Sequence, residues 1–75
     1  MARITLIKGD NAVYVNGEMK TIDLSELPEN FHALQYDDVI GFGVLETKDP
    51  IANTPVTAKE YQRHYEHLVN RWHAN

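Results

Sequence analysis

The 75-residue chain divides into two stretches whose residue patterns demand different backbones. Residues 3–46 carry short apolar and β-branched runs separated by Gly, Pro, Asn and Asp, which is the pattern of strands joined by tight turns. Residues 57–73 open on Thr57-Ala58-Lys59-Glu60 and then repeat aromatic residues at steps of three and four. That is a capping box followed by the apolar stripe of a helix. Period two followed by period 3.6 predicts an α+β domain in which one helix covers one face of an antiparallel sheet.

Within the first stretch, Ile4 to Lys8 reads as a strand, Gly9-Asp10-Asn11 as a turn, and Ala12 to Val15 as a second strand. Asn16-Gly17 is the strongest short hairpin signal in the chain, because both central residues of a type I′ turn need positive φ. It pairs Val15 with Glu18 and starts a third strand running to about Leu24. Val13, Val15, Glu18 and Lys20 then share one side of the ribbon. The pattern does not decide which side faces the core. Ser25 to Asn30 reads as a turn, since Pro28 cannot donate to a ladder, with Leu24 and Leu27 holding it to the sheet. Phe31 to Tyr36 is a fourth strand and Val39 to Glu46 a fifth. Gly41 and Gly43 inside the fifth predict a bulge, a bend or a close backbone approach. Thr47 to Val56, with Pro50 and Pro55, reads as a loop. The expectation is a single domain over 1–75: a meander of four to five strands over 3–46, and one helix over 57–73 packed on it.

Tyr61, Tyr65, Leu68 and Trp72 form the apolar stripe, with Ala58 and Val69 at its margin. A sheet this small needs the helix over it, so the stripe reads first as core. Val69 and Trp72, near the end, are the members expected to be shared with a partner.

Size limits the chemistry. A chain of this length buries only about 60% of its unfolded surface and has little room for an enclosed substrate cavity. There is no cysteine, hence no disulfide, thiol nucleophile or Cys-based zinc site. The net charge is −4, with nine acids against four bases in residues 1–56. Without a Lys/Arg run, direct nucleic-acid binding is not expected. Without a long apolar run, neither is a membrane span. The N-terminus carries no signal-peptide pattern, which points to action inside the cell that makes the protein.

Three groups of residues invite a chemical reading. Glu60, His64, His67 and Arg71 form a second helical stripe, roughly 100° from the aromatic one. Two imidazoles and a carboxylate on one face suit a metal ion. The arrangement is not the H-E-x-x-H of a zinc peptidase, and a solvated face with Glu60 pairing His64 explains it more simply. His32 has no nucleophile or acid nearby in sequence and reads as a half-buried structural histidine. Asp37, Asp38, Glu46 and Asp49 lack EF-hand spacing and read as acidic turns. No catalytic, cofactor or metal residue is assigned on this basis.

The segment Phe31-His32-Ala33-Leu34-Gln35-Tyr36-Asp37 resembles small proteins encoded in the tail modules of tailed bacteriophages and prophages. In those proteins a segment like F-H-A-[IL]-Q-W-D-G follows a short hairpin and a turn rich in Leu, Pro and Glu. Here the matching stretch runs through Val13 to Glu18, Thr21 to Leu24 and Leu27 to Asn30, and Trp72 ends the helix. Tyr36 stands in place of Trp and Asp38 in place of Gly. The resemblance covers most of the chain and its motifs are structural. It implies a non-enzymatic protein that acts through protein–protein contacts in tail or tail-fibre assembly or structure, in the cytoplasm of a bacterial host or in the virion.

Two alternatives follow from charge and from histidine. A small acidic inhibitor would set Asp37, Asp38, Glu46 and Asp49 against a basic host or defence protein. A metal-dependent or hydrolytic enzyme would use His32 or the His64/His67 pair. Edge pairing across a two-fold axis would add a homo-oligomer to either binding role.

Overall fold

Asn16 (φ 52°) and Gly17 (φ 85°) both adopt the left-handed backbone that their dipeptide predicts. The two-residue loop sets Val15 opposite Glu18. From this hairpin the sheet grows in both directions. The computed structural model describes residues 2–75 and contains strands β1 (Arg3–Ile7), β2 (Ala12–Val15), β3 (Glu18–Thr21), β4 (Phe31–Asp37), β5 (Phe42–Thr47) and β6 (Ala52–Thr57). Helices α1 (Ala58–His64) and α2 (Glu66–Ala74) follow. All strand pairs are antiparallel, in the order β3-β2-β1-β4-β5-β6. The fold is α+β, as expected, with six strands where four to five were predicted and two nearly continuous helices where one was predicted.

The topology is two three-stranded meanders joined at β1 and β4. The chain must therefore return from the β3 edge to the centre, and residues 22–30 make that crossing. Asn11 anchors it. Its carbonyl accepts the Ile22 N–H at 2.9 Å and its side chain accepts the Leu24 N–H at 3.0 Å. Ile22, Leu24 and Leu27 are buried beneath the crossing, so the third strand ends at Thr21 rather than at Leu24.

Register explains the core. Across the sheet Val15, Ile4, Tyr36, Gly43 and Val56 share one row, and Val13, Leu6, Leu34 and Leu45 the next. This is the face that carries the helices. Val13 and Val15 therefore face the core, together with Glu18 and Lys20 at the β3 margin. A bulge between Phe31 and Ala33 shifts the alternation, so Phe31 and Leu34 are both buried while His32 is exposed. His32 was expected to be half-buried, and the bulge is the reason it is not.

Gly43 is required by close approach. A Cβ there would strike the Gln35 carbonyl oxygen and lie 2.8 Å from the Tyr36 Cα. The space above Gly43 is filled by the Tyr36 ring, which stacks on Tyr61 of α1 at 3.9 Å with only 2° between planes. Gly41 lies outside the strand, as do Val39 and Ile40, because β5 begins at Phe42.

The segment expected to be a loop holds a strand. β6 lies at the sheet edge and tolerates Pro55 because an edge strand has backbone donors that need no ladder partner. The helix then starts as predicted. The Thr57 side chain accepts the Glu60 N–H, and Glu60 accepts the Thr57 N–H. At Tyr65 (φ −128°, ψ −24°) the helix breaks in two. No proline or glycine marks the break. It lets Tyr65 meet Phe31, at 6.0 Å between ring centroids, while Tyr61 and Trp72 reach different strands.

Three substitutions test this account. Gly43→Ala should lower the unfolding free energy by at least about 3 kcal/mol in urea. Gly9→Ala, where a Cβ meets nothing within 4 Å, should stay within about 0.5 kcal/mol of the parent. Thr57→Ala, which removes the cap, should cost about 1 kcal/mol in the same titration.

Candidate functional site

β4 and β5 are joined by residues 38–41, and this tip groups three exposed apolar side chains, whereas Ile51 in the β5–β6 turn and Met19 on β3 are exposed singly. Val39 is 58% exposed, Ile40 70% and Phe42 45%. The turn is built tightly for so apolar a segment. The Asp37 carboxylate accepts the Val39 N–H at 2.9 Å and its carbonyl accepts the Gly41 N–H at 3.0 Å. Asp38 closes against the N-terminal strand: its carboxylate accepts the Ala2 N–H at 2.7 Å, and its own N–H donates to the Ala2 carbonyl. The two aspartates thus fix the loop that holds Val39 and Ile40 out in solvent. Arg3 lies 3.9 Å from Asp37, an exposed pair worth little to stability.

Phe42 also belongs to the sheet face opposite the helices, which no helix covers. There Met19, Tyr14, Thr5, Gln35, Val44 and Pro55 share a row. A solvated second face is ordinary for an antiparallel sheet. The distinguishing feature is the apolar tip, because turn residues have no packing reason to be Val and Ile.

The residues singled out from sequence fall in three places. Asp37 and Asp38 lie at the tip. Glu46 and Asp49 lie toward the other end of the β4–β5 hairpin, since Asp37 pairs with Phe42 while Glu46 pairs with Ala33. Glu46 is within 3.3 Å of the Gln35 amide, and Asp49 occupies a turn with φ 54°. The four carboxylates therefore do not form one acidic patch. Val69 is buried in the core. Trp72 is half-buried against β3: its indole N–H donates to the Glu18 carbonyl at 3.1 Å, and Lys20 Nζ lies 4.1 Å from its ring. Lys20 also donates to the Trp72 and Asn75 carbonyls, so a cation caps the negative end of α2. Both helix-end residues are engaged with the chain itself.

The histidine stripe is divided by the helix break. Glu60 is held by Thr57 at the cap, while His67 and Arg71 grip Glu26 of the crossing segment at 2.6 and 3.2 Å. The His67 hydrogen bond leads the causes that hold the Glu26 carboxyl below its usual range, with Arg71 assisting. Among the described residues no group of three or more His, Asp or Glu side chains comes together as a metal site. Among the described residues no helix is long and apolar enough to cross a membrane.

Sequence reasoning missed a cleft between the helices and the end of the sheet. It has a volume of about 300 Å³ and is lined by Ile4, Tyr36, Asp38, Tyr61, Glu66 and His73, among others. The stacked tyrosines form its floor. Burial, and then Glu66, Tyr36 and Asp38, push the Tyr61 phenol up to about 12. Burial, then Asp38, Glu66 and Asp37, raise Tyr36 as well. Only the tertiary fold brings these groups together, and the one available signal was the placement of Tyr36 and Tyr61 on faces that meet.

Compared with protein-family models, with curated proteins and with solved structures, the chain matches none.

The raised phenol makes alkaline stability predictable in sign. Unfolded tyrosine ionises near pH 10. The folded state holds the Tyr61 proton more tightly, so its contribution is complete below about pH 10 and is lost as pH rises toward 12. With solvent screening of the partly open phenol allowed for, the loss is on the order of 1 kcal/mol. Phenolate absorbance should report Tyr61 ionising together with unfolding in that window, and Tyr61→Phe should move the alkaline midpoint upward.

Proposed function

We propose that the chain is a non-enzymatic protein of a bacteriophage or prophage tail or tail-fibre module, acting by protein–protein contact in assembly or structure. The observation that carries the contact reading is the exposed apolar tip of Val39, Ile40 and Phe42. It is held rigid by Asp37 and Asp38 and has no role in packing the core. The Phe31–Asp37 segment, which carries the resemblance to tail-module proteins, is β4 and leads directly into that tip. Exposed aliphatic and aromatic residues on a firmly held turn are the means by which a small domain gains affinity without a large interface. The protein would meet its partner in the cytoplasm of the bacterial host, and would stay in the virion if the contact is permanent.

A second reading is a small acidic inhibitor of a host or defence protein. It draws on Asp37 and Asp38 beside the tip, without Glu46 and Asp49. Such a complex would associate more slowly as salt rises, whereas contact through the apolar tip would tolerate salt.

Affinity capture from a prophage-induced lysate, with quantified protein identification, tests the assignment. The expected result is enrichment of tail, fibre or baseplate proteins, reduced about tenfold by Ile40→Ser with the circular dichroism unchanged. Enrichment of one host nuclease or regulator instead, lost in Asp37→Asn/Asp38→Asn, would replace the tail reading with the inhibitor reading.

A further inference from the structure

The cleft over the tyrosine stack has a composition that the fold does not require. Tyr36 and Tyr61 are only 4% and 7% exposed. Both line the cleft, and among the described residues neither hydroxyl has a hydrogen-bond partner. Among the described residues no buried side-chain oxygen lacks a partner, so both hydroxyls open onto the solvent of the cleft and can hydrogen-bond to what enters it. Two carboxylates, Asp38 and Glu66, share the lining, and their charge reaches both phenols, since each contributes to raising them. Among the described residues no Lys or Arg lines the cleft, His73 is the one basic side chain there, and Gln62 and Asn70 add neutral amides. Ile4, Ala58 and Val69 supply apolar wall.

We infer that this cleft is a binding site for a guanidinium group on an aliphatic stem. The phenol and carboxylate oxygens all act as acceptors toward such a group, which offers five N–H donors in one plane. The apolar wall suits the methylene stem. An anion would meet Asp38 and Glu66. A neutral amide would satisfy the hydroxyls while leaving the charge unused. The volume of about 300 Å³ stands at the lower limit of small-ligand sites, about 300–1,000 Å³, which fits one long side chain. The inference goes beyond the tail-module reading and does not rest on it, although Asp38 and Gly41 belong to the tip and place the cleft mouth beside it.

Titration by NMR, following the ring signals of Tyr36 and Tyr61, tests the site. The probes are N-acetyl-arginine amide, free arginine and N-acetyl-citrulline amide, the last being nearly the same shape without the charge. The arginine amide should give saturable shifts at both rings. The citrulline amide should bind about tenfold more weakly, and Glu66→Gln should weaken the arginine amide several-fold, on the order of fivefold, with an unchanged urea midpoint. Free arginine binding as tightly as the amide assigns the site to a small guanidino compound. Much weaker binding of free arginine assigns it to an arginine within a partner's chain. Either result supports the site. Absence of saturable shifts at Tyr36 and Tyr61, equal binding of the citrulline amide, or no effect of Glu66→Gln would overturn it. Ile40→Ser should leave this titration unchanged, so loss of partner capture and loss of cleft binding are read separately.

Discussion

The contact on which the rest of the structure depends is the three-layer stack of Gly43, Tyr36 and Tyr61. Gly43 has no side chain to hold Tyr36 away from the β5 backbone. The Tyr36 ring therefore lies flat over the sheet and presents its other face to Tyr61. That stack sets the height and position of α1 over β4 and β5. It also fixes where the chain enters α2, and so where Trp72 arrives on β3. An aromatic pair adds about 0.5–1.5 kcal/mol beyond its buried area. Here its greater effect is geometric, because a planar stack permits little variation in the distance between layers.

A second set of contacts closes the far side of the molecule. Asn11 receives the crossing segment, Glu26 ties that segment to His67 and Arg71, and Lys20 joins β3 to the last turn of α2. None of these polar contacts is deeply buried, and the ion pairs among them are individually weak. Their value is in registering a small sheet against two short helices. With no disulfide and a core of small extent, such contacts select one arrangement among several that would bury similar apolar area.

Two features remain that packing does not explain. The Val39–Phe42 tip exposes apolar side chains on a firmly hydrogen-bonded turn, and the tyrosine cleft sets two carboxylates beside two phenols. They adjoin one another through Asp38 and Gly41. A protein of this size has one small region to devote to recognition. Both features lie at the end of the sheet where β4 passes into β5.

Local signals with a direct stereochemical cause were legible in the amino-acid sequence. Asn16-Gly17 specified its hairpin and register because few other residues accept positive φ. Thr57 and Glu60 specified the helix start because a capping box satisfies its own donors. Leu24 and Leu27 marked the crossing segment as attached to the sheet. The tertiary structure decided what depends on neighbours distant in sequence. β6 was hidden because Pro50 and Pro55 argue against a strand unless the strand is an edge, and edge position belongs to topology. The break at Tyr65 has no residue signal, since it arises where α1 and α2 pack on differently placed strands. The dispersal of the acidic residues and the assembly of the cleft follow from the same cause. Backbone preference acts over a few residues, whereas the meeting of Tyr36, Asp38, Tyr61 and Glu66 requires the sheet order and the helix position together.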